Sequence, residues 1–270
     1  MQRIIRTFLI LSFSFLLVFS AWKIIDILHS YQVGKDAYTA LEQYVSISDQ
    51  TSATEPALPE NNDPAVKEEN PNTAVQENIN WPQVNFAELS KINPDVVGWI
   101  YIEGTNINYP IAQASDNDYY MTRLFDGTYN SSGSIFLDAS ASPDFSDKHT
   151  IIFGHNMKDN TMFSALMGYK DEAFYREHPD ILLLTPERNY RIRLFSGYIT
   201  DTSVNAWERK FTQIDFPSWL SEIVSRSQFK PDQYPDQDDR IISLSTCSYE
   251  FDDAKYILHG YIAYEEENDG

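Results

Sequence analysis

One cysteine, Cys247, stands in 270 residues. An intramolecular disulfide is therefore excluded, and the fold must be held by its core. Basic residues are also scarce: 20 Lys and Arg face 40 Asp and Glu, for a formal net charge of −20. That balance lacks the basic footprint phosphate backbones require, so no nucleic-acid partner is expected. The acidity reads as a solvated surface. Histidines number five and are scattered. With a single thiol they offer no ligand-spaced cluster, so no metal or other cofactor is expected. Acidic pairs such as Asp252 and Asp253 read as surface rather than as a calcium site. What is present is apolar bulk: 42% hydrophobic and 14% aromatic residues, enough to bury one large domain.

The N-terminus supplies the address. Arg3 and Arg6 precede an uncharged run from Thr7 to Trp22. This is short for a span of about 20 residues. Ile4, Ile5, Ile24 and Ile25 lengthen it if Arg6 and Lys23 snorkel. Basic residues ahead of the run predict a cytoplasmic N-terminus and an external body. Cleavage after Ser20 or Ala21 is the alternative, but no A-x-A site is evident. The reading taken is an uncleaved anchor over residues 1–25, continued by a membrane-proximal helix over 26–45. Residues 46–80, rich in Pro, Asn and Glu, read as a disordered spacer. The folded domain is then expected over 81–270.

Within it, "PQVNFAELSKINPDVVGW" predicts a short helix ended near Asn93-Pro94. Eight β-like runs follow, at Trp99–Glu103, Ile107–Gln113, Ser134–Leu137, Thr150–Phe153, Ile181–Thr185, Tyr190–Tyr198, Ile241–Cys247 and Tyr256–Tyr264. Turn-rich separators such as "DGTYNSSG" divide them. Helices are expected at Asp118–Phe125, Thr161–Gly168, Asp171–Glu177 and Pro217–Ser225. The last carries Trp219, Leu220, Ile223 and Val224 at helical spacing. The pattern is mainly β, a barrel with helical insertions.

The lone thiol is either a small buried apolar group or a nucleophile. In "RIISLSTC" alternate side chains face opposite ways. Ser243, Ser245 and Cys247 share a small, polar face suited to a cleft. If the last two strands form a hairpin over Ser248–Ala254, Lys255 falls opposite Cys247. There it either favours the thiolate or is a surface lysine beside Asp252 and Asp253. A thiol nucleophile needs an acid–base partner, most often His. His29 lies in the membrane-proximal helix, and His178 sits in a loop. His259 is about 13 Å along the strand from Lys255. His149 and His155 bracket one strand and lie about 20 Å apart, so at most one reaches the thiol. If that strand runs parallel beside the Cys strand, their C-terminal ends share a rim, and His155 is the partner. Gly154 then permits a tight exit. A structural His after a strand is the competing reading.

"LSTC", followed by a basic residue and a final strand, resembles the sortase signature T-L-x-T-C with its downstream Arg. "FGHNM" followed by "MFSAL" resembles the histidine segment of class B sortases. "YPIAQASDNDYYM" and "NSSGSIFLD" resemble further class B sequence. The likeness extends from about Trp81 to Tyr264. It implies an eight-stranded sortase-type β-barrel with N-terminal helices and a helix inserted before the penultimate strand. Pro217–Ser225 fits that insertion. It also implies a membrane-anchored cysteine transpeptidase on a Gram-positive surface. Such an enzyme cleaves a C-terminal sorting motif, NPxTx-like in class B, after Thr. It passes through a thioacyl intermediate to an amine of a peptidoglycan precursor or cross-bridge. Its partners would be surface proteins that bear the motif.

Carried over by residue, Cys247 is the nucleophile and His155 the general acid and then base. Ser245 and Thr246 line the substrate groove. Ser203 and Trp207 match a loop hydroxyl and an aromatic four residues on. One position departs: the family's catalytic Arg falls at Lys255. Lys keeps the charge but loses the planar fork of donors. Arg240 lies about 23 Å from Cys247 and cannot stand in. Alternatives are therefore a catalytically weak surface protein that binds sorting signals, or a pilin-polymerising sortase. A cell-wall cysteine hydrolase is a further option, though it would not account for the ordered motifs.

Overall fold

A computed structural model describes residues 2–47, 79–201, 205–212 and 215–268. Most of the segment read as a spacer, and Ser203, lie outside the described residues. The chain opens with helix α1, Gln2–Leu41, continued by a 3₁₀ turn at Glu42–Tyr44. It is the one described helix long and apolar enough to cross a membrane. Its first turns expose Phe8, Leu11, Phe15 and Val18, with no polar face to offset them. Only near its C-terminal end, at Gly34, Tyr38 and Leu41, is it buried. There it docks on the folded domain. Two short strands, β1 (Val45–Ser46) and β2 (Gln83–Val84), pair antiparallel and bring residues 45 and 84 together. Helix α2, Phe86–Ile92, is capped by Asn85, whose side chain accepts from the Glu88 N–H.

Eight strands then form a closed barrel: β3 (Val96–Tyr101), β4 (Asn108–Ala112), β5 (Ile135–Leu137), β6 (His149–Phe153), β7 (Asp180–Leu184), β8 (Arg188–Thr200), β9 (Ile241–Cys247) and β10 (Lys255–Glu267). The order around the barrel is β10-β8-β7-β3-β4-β5-β6-β9, and β9 pairs with β10 to close it. The pairs β4–β5 and β6–β9 are parallel, and the rest are antiparallel. Each of the eight runs expected from the sequence is a barrel strand. Closure leaves no barrel edge unpaired. Alternation fills the interior with Ile100, Ile111, Ile152, Leu183, Ile192, Leu244 and Leu258.

The opposite faces of β8, β9 and β10 bury a second cluster, and this is where the inserted helix sits. Helix α4, Asp215–Ser225, lays Phe216, Trp219 and Ile223 over Phe195, Ile241, Ile257 and Tyr261. Burying each of those large side chains contributes roughly 2 kcal/mol. Thr212 and Asp215 cap its start reciprocally. Helix α3, Glu172–Glu177, is capped by Asp171.

Two expected helices are shorter or tighter than the sequence suggests. Over 118–125 only Tyr119–Met121 is helical, as one 3₁₀ turn. Asp116 Oδ1 takes the N–H groups of Asp118 and Tyr119, and the chain then reverses at Asp126-Gly127. The segment expected over 161–168 is 3₁₀ over Phe163–Lys170, entered through Met162 at φ +56°.

Candidate active site

Cys247 ends β9 and Lys255 begins β10, and the two residues are direct partners across the ladder. The Lys255 Nζ lies 3.2 Å from Cys247 Sγ. An ammonium at that distance donates to the sulfur and matches the charge of a thiolate. Both side chains are half-buried.

On the other side of β9, β6 runs parallel, with Phe153 opposite Ser245. Two residues on, past the strand end, His155 comes level with Cys247. Three hydrogen bonds hold that alignment. Gly154 N–H donates to the Ser245 carbonyl at 3.2 Å, Asn156 Nδ2 to the Cys247 carbonyl at 3.1 Å, and the Tyr249 hydroxyl to the Asn156 carbonyl at 2.9 Å. The His155 Nε2 lies 2.7 Å from the Met121 carbonyl oxygen. A carbonyl only accepts, so Nε2 carries a hydrogen, and Nδ1 is the acceptor of the neutral ring. Two glycines make room for this arrangement. A Cβ on Gly154 would fall 2.5 Å from Ile135 Cδ1 and 2.7 Å from Phe163. Close packing, rather than an unusual φ, therefore requires it. Gly133, at φ +58°, lies against the Tyr120 and Met121 carbonyls and the His155 ring.

Cys247, His155 and Lys255 open into one groove of about 330 Å³, lined also by Met121, Phe136, Phe153, Ser245 and Trp207. Phe136 and Phe153 stack with centroids 5.4 Å apart. The walls are thus apolar and the reactive groups converge at one end, as binding sites tend to be built. A larger hollow of about 520 Å³ lies at the other end of β9, around Val96, Arg188 and Arg240, and holds neither thiol nor imidazole. Arg240 sits there, paired to Glu265 at 2.6 Å. It takes no part in the groove.

Trp207 Nε1 donates to Ser245 Oγ at 3.1 Å, so these two expected substrate-groove residues meet. Thr246 touches the groove, but it shares the face of Ile242 and Leu244, and its hydroxyl is buried without a partner. Ser243 departs from expectation. It shares the Cys247 face, yet it is fully buried beneath α4 rather than in a cleft. It lies between two buried rings, with His149 Nε2 at 2.7 Å and His259 Nδ1 at 2.6 Å.

The direction of every bond in that chain follows from one carbonyl. His149 Nδ1 lies 2.5 Å from the Glu208 carbonyl oxygen and must donate. In the neutral ring Nε2 then accepts from Ser243, whose oxygen accepts from His259 Nδ1. The Tyr198 hydroxyl, 3.2 Å away, donates to His259 Nε2. With both imidazoles neutral, all four groups are satisfied. Burial holds His149 down to about 4. Burial and then the neighbouring His149 hold His259 well below the usual histidine range. The network fixes the segment 205–211, whose 3₁₀ turn Asn205–Trp207 carries Trp207. Arg209 reinforces it through Asp138 at 2.6 Å and Asp147 at 2.9 Å.

The sequence reading did not single out Met121, Gly133 or Asn156. Asn156 directly follows His155 in the chain, and its amide was the accessible clue. The roles of Met121 and Gly133 arise from backbone atoms brought in by a loop.

A thiol, an imidazole and a primary amine converging in one apolar groove on the rim of a closed barrel are the equipment of a cysteine-dependent acyl transferase. Comparison with known proteins agrees. A family model described as the sortase domain matches residues 100–265. Sortase B of Listeria monocytogenes is 40% identical over 166 residues, covering 61% of this chain and 68% of that protein. Sortase B of Staphylococcus aureus is 36% identical over 163 residues, covering 60% and 67%. Among solved structures, sortase B of Clostridium perfringens superposes with a TM-score of 0.62 at 32% identity, over 68% of this chain and all of that one. A Staphylococcus aureus sortase B–substrate complex gives 0.62 at 33% identity, over 66% and 83%. The chain belongs to the sortase family, class B, and membership makes it a cysteine transpeptidase.

Proposed function

We propose that this chain cleaves an NPxTx-like C-terminal sorting motif after Thr and passes the acyl group to a cell-wall amine. The Cys247 thiolate attacks the Thr carbonyl carbon. The oxyanion that forms is stabilised by the Lys255 ammonium. As the C–N bond breaks, His155 gives a proton to the departing amine, leaving a thioester on Cys247. The incoming amine attacks that thioester and His155 accepts its proton. A new amide forms and the thiolate is released. Ser245, Thr246 and Trp207 line the path of the motif. Ser203 is proposed to join them, on the four-residue spacing to Trp207 alone.

The observation that carries this reading is the 3.2 Å approach of Lys255 Nζ to Cys247 Sγ in the groove shared with His155. Helix α1 is compatible with a membrane anchor. We propose that it spans once, with a cytoplasmic N-terminus and the barrel outside. Surface proteins bearing the motif and a peptidoglycan precursor or cross-bridge amine are the proposed partners. The lysine itself favours a second reading, a weakly catalytic sorting-signal binder, because a point charge replaces a planar fork. Thioester formation on Cys247 with motif peptides, read by intact mass, separates the two. The transpeptidase accumulates an adduct that an added amine discharges into ligated product. The binder holds peptide without acylation.

A further inference from the structure

We propose that Lys255 is an internal acyl acceptor: once Cys247 carries an acyl group, the Lys255 amine takes it from the sulfur and keeps it as an amide. For the source of that acyl group in the cell, this rests on the function proposed above.

Lys255 Nζ lies 3.2 Å from Cys247 Sγ, and the carbonyl carbon of a thioester is bonded directly to that sulfur. A carbonyl carbon on that sulfur can thus come within the near-attack separation of about 3–3.5 Å from the amine, where intramolecular reactions gain large effective molarities. The strand register favours this placement. Residues 247 and 255 are register partners on neighbouring strands, and the backbone holds them opposed.

Chemistry points the same way. The second half of a transpeptidation consumes an amine, and lysine offers one. A guanidinium at this position would be inert, because it stays charged at any accessible pH. Before acylation the Lys255 ammonium faces the thiolate. Acylation removes that negative charge, and the ammonium first gives up one proton to His155 or to water. Attack then breaks the C–S bond and forms a C–N bond. The sulfur leaves as thiolate, and the second proton, shed by nitrogen as the amide forms, passes to that thiolate or to water. No oxidant or reductant is required.

The product has a free thiol but no cation beside it, and a peptide tethered in the groove. Such a chain has left the catalytic cycle. Every acyl-enzyme thus partitions between an outside amine and its own lysine, and activity decays fastest where acceptor is scarce.

The test uses the full chain in detergent, with two acyl sources: an NPxTx-like peptide, and a simple aryl thioester that loads Cys247 by thiol exchange without motif recognition. Neutral hydroxylamine strips thioesters and spares amides. We expect a hydroxylamine-resistant mass that grows with time and maps to Lys255. It should be absent in Cys247→Ala, suppressed by added amine, and lowered at least about tenfold in Lys255→Arg. If acyl groups loaded from the aryl thioester are removed completely at every time point, the proposal is wrong. It is equally wrong if the resistant mass maps to other lysines or persists in Cys247→Ala. Transfer to Lys255 from the aryl thioester with no loading from any motif peptide would uphold the inference and overturn the sorting-motif reading instead.

Discussion

Gly133 packs so closely beneath His155 that a Cβ there would come within 2.9 Å of the ring at Cδ2 and within 2.8 Å of the Tyr120 and Met121 carbonyls. The loop that carries the Met121 partner of His155 therefore has no spare room. Gly133→Ala meets both a clash and a left-handed φ of +58°. It should move the imidazole away from Met121 and lower kcat for peptide cleavage by about 10²-fold, the scale on which misplaced acid–base groups act. Steady-state kinetics with a motif peptide checks this. A variant as active as the parent would remove the role assigned to the Gly133 contact.

The same loop receives the end of α1. The Tyr38 hydroxyl donates to the Gly133 carbonyl at 2.7 Å and lies 3.0 Å from Ser134 Oγ. Tyr38→Phe keeps the ring packing and loses a buried hydrogen bond. The expected cost is about 1–2 kcal/mol of barrel stability. Chemical denaturation of the full chain in detergent measures it. No change would mean that the helix end rests on the barrel without holding it.

Lys255 is the residue whose replacement should matter most after Cys247 and His155. Lys255→Ala removes the cation beside the sulfur and should slow thioester formation by about 10²–10³-fold, the range for losing one preorganised oxyanion donor. Lys255→Arg restores the fork, and the rate of thioester formation should rise at least about tenfold over the parent if the fork geometry limits it. Single-turnover acylation, followed by mass, reads both. An unchanged rate in Lys255→Ala would make the lysine a bystander.

Trp207 and Ser245 test the groove rather than the chemistry. Trp207→Phe retains an aromatic wall but drops the 3.1 Å bond to Ser245. The ring should then hold its place less well. KM for the peptide should rise several-fold, with kcat changed less, as when uniform binding is lost. A fall in kcat at constant KM would place Trp207 in the reaction itself.

The buried His149–Ser243–His259 chain predicts an acid-side loss of stability. Unfolded imidazoles protonate below about 6.5, whereas His149 in the fold resists until about 4. In that window the unfolded state binds more protons, so stability rises with pH. The contribution is complete above about 6.5 and is lost as pH falls toward 4. For His149 alone it amounts to roughly 3 kcal/mol. Denaturation curves between those pH values should show the slope, and His149→Gln should flatten part of it. An unaltered slope in that variant would show that protonation there costs the fold little.

The strands were legible because their alternation is strong. Ile242 and Leu244 go inward, and Ile241 packs beneath α4. The hairpin arithmetic alone set Lys255 opposite Cys247. The position of His155 required only that β6 and β9 be parallel, which brings residues 153 and 245 into register. Ser243 was misread because the outer face of β9 changes use along its length: it is covered by α4 at Ser243 and open by Cys247. A two-residue period cannot show where a helix from elsewhere in the chain lands. The helix expected over 118–125 shrinks to one 3₁₀ turn at 119–121, and the one expected over 161–168 is 3₁₀ and begins two residues later, for a similar reason. Asp116 and the left-handed Met162 redirect the backbone locally, against an apolar spacing that favours helix. Of the supports of His155, the Asn156 amide was legible beside it in the chain, whereas the Met121 carbonyl and the missing Cβ of Gly133 carry no side-chain signature.

In the proposed reaction Cys247 is acylated by a sorting motif and discharged by an amine. The most direct measurement incubates the full chain in detergent with a panel of NPxTx-like and LPxTG-like peptides, and follows the intact mass with and without a small primary amine. The account predicts an adduct that maps to Cys247, is absent in Cys247→Ala, and gives way to ligated peptide when amine is added. A folded chain whose thiol still alkylates but which takes no acyl group from any peptide would contradict it.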